Sequence, residues 1–357
     1  MSNFKIGVII GRFQPLHNSH EKLIQHALEH SDYVIILVGS ANRAPDSNNP
    51  YSYQVRKEFI ENMMHEYEIS HGRFSVYPLN DYKYNDASWL TQIHSIVSTV
   101  ERTYNKYTNT EISLYGHHKD NSTYYMNSFP TYSIVDVGNI DNVSATQVRE
   151  YLYNREYDKA RSLVPDYVYN RVYYDAKGRY TPESEEFDRL RQEHFYIQHY
   201  KDAWKDAPYE PIFTTTDSVV YFKGYILLVK RKSHPGKGQW CLPGGFVKPE
   251  EWIKDSIITN LKKDTNIKVG APILRSNIRE MEVFDDPGRS LRGRIITHCG
   301  LIVLDGVSSM SELPSVKSQS KGDVHAQWFP ISDVESMSNE LFEDHYFIIK
   351  QMLKINN

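Results

Sequence analysis

The chain predicts two domains of different class: an α/β domain built on a parallel sheet, then an α+β domain. Three observations predict this. Its 357 residues exceed what one core of about 100–200 residues organises. Apolar runs alternate with helical stripes through the first half, the pattern of βαβ units. Beyond residue 205 the alternation gives way to a hairpin, a glycine-punctuated loop and a helix flanked by strands.

Composition narrows the function. Hydrophobic residues are 40% and charged residues 24%, an ordinary soluble balance. A net charge of -4 and a pI of about 6.4 exclude a general basic surface for nucleic acid, so a phosphate ligand must be met locally. No apolar run approaches the ~18 residues of a membrane span. The N-terminus runs straight into a strand, without a basic-then-apolar leader, and a cytoplasmic location is expected. Cys241 and Cys299 lack metal spacing and read as buried thiols. The 27 tyrosines read mostly as amphipathic packing.

Taken in order, Phe4–Ile10 is a strand and His17–His30 a helix, with Leu23, Ile24, Ala27 and Leu28 as its stripe. Tyr33–Val38 is an unbroken apolar run, typical of a buried parallel strand. Residues 41–50, rich in Asn, Asp, Ser and Pro, form a loop. Helix is predicted over Gln54–Tyr67 and Leu90–Tyr104, and strand over Phe74–Pro78, Glu111–Tyr115 and Ser133–Val137. Ser144–Tyr153 starts another helix with Ser144 as N-cap. The first domain therefore covers 1–180. Residues 181–205 read as a linker with some helix, Ser184–Tyr200, in which Ser184 is placed as the N-cap. In 206–357, Phe213–Tyr221 and Tyr225–Lys230 form a hairpin around Lys223-Gly224, Glu250–Lys263 is helix, and Ile295–Leu304 is strand.

The most informative stretch is Gly11 to His20, GRFQPLHNSH. A strand delivers His17 and His20 to a helix N-terminus, where free N–H groups and the helix dipole favour anions. In α/β sheets that carboxyl end of a strand is where ligands sit. Histidines three apart share a helical face. Metal ligation is one reading, but zinc usually wants a third protein ligand and no cysteine lies near. A second helix start, Ser144-Ala145-Thr146-Gln147-Val148-Arg149, offers two hydroxyls and a guanidinium. Alone, Ser-x-Thr is often only a cap. Together the two motifs suit a clamp for a triphosphate.

The pair GRFQPxHxxH and SATxxR resembles the nucleotidyltransferase superfamily, and within it the archaeal-type nicotinamide mononucleotide (NMN) adenylyltransferases. Asn49-Pro50-Tyr51 with Arg56, Asp86-Ala87-Ser88-Trp89, Gly116-His117-His118-Lys119-Asp120, Tyr124-Tyr125 and Phe129-Pro130 fit too, so the likeness covers about 4–160. It implies a Rossmann-like nucleotidyltransferase domain in which NMN displaces pyrophosphate from ATP, giving NAD. It implies His17, His20 and Arg149 as catalytic, and Gly11, Arg12, Phe13, Ser144 and Thr146 as ATP-binding. Trp89 is implied to stack on nicotinamide, with a core aromatic as the alternative. Lys119 and Asp120 are implied as NMN contacts or a structural ion pair. Mg²⁺ is implied to arrive with ATP. Arg56 is expected on a helix surface. Ser19 stands where the family usually has glycine.

Gln239-Trp240-Cys241-Leu242-Pro243-Gly244-Gly245 with Glu250-Glu251 resembles the start of a Nudix box, G-x5-E-x7-R-E-U-x-E-E-x-G-U. Gly245 to Glu251 keeps the first spacing. The arginine and first helical glutamate become Thr259 and Asn260, the glutamate pair Lys263 and Asp264, and the glycine Asn266. An ammonium thus stands where a divalent cation belongs. Glu250, Glu251 and Asp264 remain as candidate metal ligands. Arg289, Arg292 and Arg294, with Ala326-Gln327-Trp328-Phe329-Pro330 and Phe342-Glu343-Asp344-His345, resemble the ADP-ribose pyrophosphatase branch. The arginines are read as phosphate ligands or a solvated basic turn.

The whole chain resembles the bifunctional NMN adenylyltransferase/Nudix hydrolase family, with a Nudix half expected to hydrolyse poorly. The alternatives are full bifunctionality, with ADP-ribose cleaved to AMP and ribose 5-phosphate, or a non-catalytic nucleotide-binding regulatory module. The expected partners are the nucleotides ATP, NMN and NAD, with ADP-ribose for the second half. No nucleic acid or membrane is expected, and a homo-oligomer is left open.

Overall fold

A computed structural model describes residues 3–104, 109–116, 128–138, 143–177, 182–305, 312–316 and 326–355. The chain divides into two compact units, Met1–Arg191 and Gln192–Asn357. Among the described residues no helix is long and apolar enough to cross a membrane.

The first unit runs β1 (Phe4–Gly11), α1 (Asn18–His30), β2 (Tyr33–Val38), α2 (Tyr53–Glu66), β3 (Phe74–Pro78), α3 (Asp86–Tyr104), β4 (Thr110–Gly116), β5 (Ser133–Asp136), α4 (Ala145–Tyr153), α5 (Tyr157–Arg161), α6 (Asp166–Lys177) and α7 (Pro182–Asp202), which continues past its end. The sheet order is β3-β2-β1-β4-β5, and every pair is parallel. Strand alternation explains why β2 is apolar throughout. Val34, Ile36 and Val38 pack on one face with Ile24, Phe59 and Val148, while Ile35 and Leu37 pack on the other with Ile93 and Val97 of α3. The chain moves outward from β1 to β3, then returns to β4 beside β1. The order reverses between β1 and β4, and the carboxyl end of β1 at such a switch point is where α/β sheets place their ligands. Gly11 to His20 begins there.

Ser144 caps α4, its hydroxyl accepting from the Gln147 N–H at 3.3 Å. Ser184 is not a cap, because α7 begins at Pro182 and carries it inside the helix. Helix α3 begins at Asp86, ahead of its apolar stripe.

The second unit contains β6 (Ile212–Phe222), β7 (Tyr225–Lys230), β8 (Trp240–Cys241), β9 (Gly244–Phe246), α8 (Ile253–Thr265), α9 (Ala271–Ser276), β10 (Ile278–Phe284), β11 (Arg294–Val303), β12 (Ala326–Pro330), α10 (Ile331–Ser336) and α11 (His345–Met352). Its sheet is mixed. The order is β10-β11-β6-β7-β12, with β8 beside β7 and β9 beside β6; only β11 and β6 run parallel. Lys223 and Gly224 both take positive φ, 46° and 83°, as a tight two-residue hairpin requires. Ile257 and Leu261 of α8 pack on Val220, Phe222 and Leu227. Asn266 ends α8 in the left-handed region at φ 46°, where the Nudix box has glycine; asparagine is among the few other residues that visit it readily. Cys241 and Cys299 are buried free thiols.

Candidate active site

The loop after β1 is shaped by its own side chains. Phe13 takes a positive φ of 51°, and its ring lies 2.8 Å from where a Cβ on Gly11 would sit, so this turn needs glycine. The buried Gln14 amide clamps the Tyr51 backbone twice, donating to its carbonyl at 2.8 Å and accepting from its N–H at 2.9 Å. His17 sits at the N-cap position of α1 with extended backbone, and His20 lies in the first turn. Their rings stack at 3.7 Å, and Phe13 lies 4.8 Å from His20. Asn18 anchors this helix start, its N–H and side-chain amide donating to the Leu163 and Ser162 carbonyls at 3.0 and 3.2 Å. Ser19 lies inside α1 and is not among the positive-φ residues, so no glycine conformation is required of it.

Arg149 reaches the same loop from α4. Its guanidinium donates to the Gln14 carbonyl at 2.8 Å and to Thr146 Oγ1 at 3.1 Å, with a longer 3.5 Å reach to Asn48 Oδ1. The side chain is 6% exposed. Burial lowers its pKa, and the charge of Arg12 lowers it further. Arg12 is exposed, and Thr146 is too. The structure thus joins the two sequence motifs through one buried guanidinium. Ser144 is spent partly on capping.

Arg56 corrects the surface expectation. It is 1% exposed and donates to four backbone carbonyls, those of Arg12, Gly39, Ser40 and Ser52, at 2.5 to 3.2 Å. Burial pulls its pKa down to about 10. The guanidinium binds the end of the β1 loop to the end of β2. Its position did carry a signal, since 56, 59, 60 and 63 are the buried positions of α2 at helical spacing. Trp89 is half-buried beside the core, 6.5 Å from the Phe129 ring. Lys119 and Asp120 lie outside the described residues, as do His117, His118, Tyr124 and Tyr125.

The second unit holds a cavity of about 470 Å³ lined by Asp217, Lys263, Asp264, Arg289, Arg292 and His345, among others. Arg289 is locked into a buried pair with Asp344, two bonds of 2.9 Å. Arg292 lies 3.6 Å from Glu343. Arg294 lines a different cavity with Trp204 and Tyr209, and donates to the Asp285 carbonyl. Arg292 lines both cavities, so it stands between Arg289 on one side and Arg294 on the other.

The helical box residues gather on the Gly244-Gly245 loop. Asn260 is buried, and its amide nitrogen donates to Thr216 Oγ1, the Gly245 carbonyl and Ser256 Oγ at 3.0, 3.1 and 3.2 Å. The Asp264 carboxylate accepts from the Gly244 N–H at 3.0 Å, and burial raises its pKa. Glu250 and Glu251 do not line the cavity. Asp217, which the sequence reading missed, does, and accepts from Thr297 Oγ1 at 2.5 Å. His345 Nδ1 accepts from the Leu242 N–H at 2.9 Å, and burial lowers the imidazole pKa. Among the described residues, the only three His, Cys, Asp or Glu whose ligand atoms all lie within 4.8 Å are His26, Glu29 and His30 on α1.

A parallel sheet with imidazoles at its switch point, followed by a mixed sheet bearing a box-like loop and helix, defines a class: a nucleotidyltransferase joined to a Nudix-type domain. The cytidylyltransferase-like family model matches residues 8–151 and the NUDIX domain model residues 213–352. The nicotinamide/nicotinic acid mononucleotide adenylyltransferase of Acinetobacter baylyi is 34% identical over 155 residues, 43% of this chain and 78% of that protein. A crystal structure of a bifunctional NMN adenylyltransferase/ADP ribose pyrophosphatase from Francisella tularensis superposes with a TM-score of 0.87 at 35% identity, covering 99% of each chain. A Francisella tularensis structure complexed with AMP and a Mn ion gives 0.84 at 34%, covering 98% of this chain and 99% of that one. The chain belongs to this bifunctional NMN adenylyltransferase/Nudix family.

Proposed function

We propose that the chain converts ATP and NMN to NAD and pyrophosphate, a step of NAD biosynthesis. The observation that carries this is the Arg149 bond to the Gln14 carbonyl, because it ties the late Ser-x-Thr helix to the histidine loop. A 5′-phosphate oxygen of NMN attacks the α-phosphorus of ATP. The new O–P bond forms as the bond to the bridging oxygen breaks, and pyrophosphate leaves with that electron pair. The attacking phosphate is already anionic near neutral pH, so positioning and charge stabilisation suffice. In this reading His17 and His20 hold the phosphates and the developing charge. Arg149, Ser144 and Thr146 bind the β- and γ-phosphates, and Arg12 grips the triphosphate. The Gly11 and Phe13 backbone lines the adenosine. Trp89 stacks on nicotinamide, and Lys119 and Asp120 contact NMN. Bound to ATP, Mg²⁺ would supply further screening of phosphate charge, and no residue of the chain is assigned to hold it. Two buried free thiols suit a cytoplasmic enzyme.

In the same reading the second unit hydrolyses ADP-ribose feebly or not at all. The support is Asn260 and Lys263 at glutamate positions of the box. Full bifunctionality is the second reading, favoured by the likeness to the Francisella protein described as a pyrophosphatase. One assay tests both. The full chain with ATP, Mg²⁺ and NMN is expected to yield NAD, and absence of NAD refutes the first reading. With ADP-ribose and Mg²⁺, AMP formed at a comparable rate favours the second.

A further inference from the structure

Two of the four carboxylate positions of a Nudix box are occupied here by Asn260 and Lys263, which leaves Glu251, with one buried oxygen that makes no hydrogen bond, and Asp264. Position 260 is an amide whose nitrogen faces three acceptors, one of them the Gly245 carbonyl of the box loop. Position 264 is a carboxylate already bonded to the Gly244 N–H. Glu250 and Glu251 lie outside the cavity lining, and no three donors of this unit's described residues come within 4.8 Å of one another. This donor set does not fit a bridging metal pair.

The cavity is nonetheless built for an anion. Six cations line it, Lys230, Arg231, Lys232, Lys263, Arg289 and Arg292, against three carboxylates. Most of the cations are engaged. Arg289 is paired with Asp344, and Arg292 with Glu343. Arg231 donates to the Pro235 carbonyl and stacks on Phe342 at 3.8 Å, and Lys230 lies over Trp240. Lys263 differs. It is exposed at the cavity and makes no hydrogen bond or ion pair among the described residues, although its charge is felt by the neighbouring Asp264 carboxylate. An ammonium brings three donors and a full charge to a phosphate oxygen without any ion between them.

We infer that the second unit's cavity binds a pyrophosphate-linked nucleotide without a divalent metal, with the Lys263 ammonium supplying the charge a metal would bring. This rests on the reading of that unit as a poor hydrolase: it makes the cavity a binding site whose occupancy follows nucleotide concentration and not metal.

The test is calorimetric titration of the full chain with ADP-ribose, once in EDTA and once in Mg²⁺. Affinities equal within about twofold are expected, and Lys263→Glu should weaken binding in EDTA by about tenfold or more, the worth of one charge-assisted bond. A thermal melt of the variant that matches wild type in both units, with NAD synthesis unchanged, verifies that the chain is folded. A tenfold gain in wild-type affinity on adding Mg²⁺ overturns the proposal. So does absence of binding in EDTA, and so does a Lys263→Glu variant that binds in EDTA like wild type. Rapid AMP release in Mg²⁺ sinks the poor-hydrolase reading instead, and is scored separately by chromatography of the same mixture.

Discussion

The two units each carry a family motif, one of the nucleotidyltransferases and one of the Nudix proteins, and they hold it in opposite ways. In the first, the motif residues are held by backbone bonds that leave their chemistry in place. Gln14 clamps Tyr51, Asn18 ties down the start of α1, and Arg56 ties the loop to β2. In the second, the motif positions have been converted into fasteners: Asn260 joins α8 to Thr216 and the box loop, and Asp264 holds Gly244. The shared spacing fixes where the backbone goes. Residue type decides what chemistry the backbone presents, and the box here keeps its path with an amide at 260 and an ammonium at 263.

Four perturbations probe that contrast. The largest effect belongs to Arg56→Met. It strips donors from four carbonyls behind the first site, and chemical denaturation should show a loss of about 3 kcal/mol or more. A loss below 1 kcal/mol would mean that the loop does not depend on it. Next, His20→Ala should slow NAD formation about a hundredfold, as removal of one charge-stabilising group often does, with the unfolding midpoint nearly unchanged. Wild-type turnover would strip the first motif of its proposed chemistry. In the second unit, Asn260→Glu restores a box residue but removes the two N–H donors that three acceptors share. A stability loss of about 2 kcal/mol is expected, without any gain in Mg²⁺-dependent AMP release. A gain in release would mean that the fold tolerates a working box.

The smallest effect is a slope. Burial holds the His345 pKa below its ordinary 6.5, outweighing the nearby carboxylates of Asp217 and Asp344. Unfolded chains therefore take up a proton below pH 6.5 that the native state refuses. The associated stability is complete above that value and is lost as pH falls toward the depressed native pKa. His345→Gln should flatten this part of the stability profile between pH 7.5 and 5.5. An unaltered profile would assign the slope to other groups.

Much of this was legible in the sequence because one signal per element was strong. The runs forming β2 and β7 have the same bounds in sequence and structure, since buried apolar runs end abruptly at polar or turn residues, and β3 matches too, closed by Pro78. Elements without such a run were missed. Strands β8 and β9 have two and three residues, too short for periodicity, and β10 exposes Arg279 and Val283 and fully buries only Phe284. Helix α5 has five residues. In the site, the histidine loop and Arg149 were visible as motifs. Their connection through Gln14, and the pairing of Arg289 with Asp344, were not, because local spacing carries no information about partners far along the chain.

The two thiols have a practical consequence. Burial pushes Cys241 up to about 12 and Cys299 well above its ordinary value, so neither offers a thiolate near neutral pH. As these are the chain's two cysteines, the native protein should stay dark to maleimide dyes. A single cysteine introduced at exposed Tyr209 would then take the label cleanly, giving a fluorescent reporter without first deleting either natural sulfur.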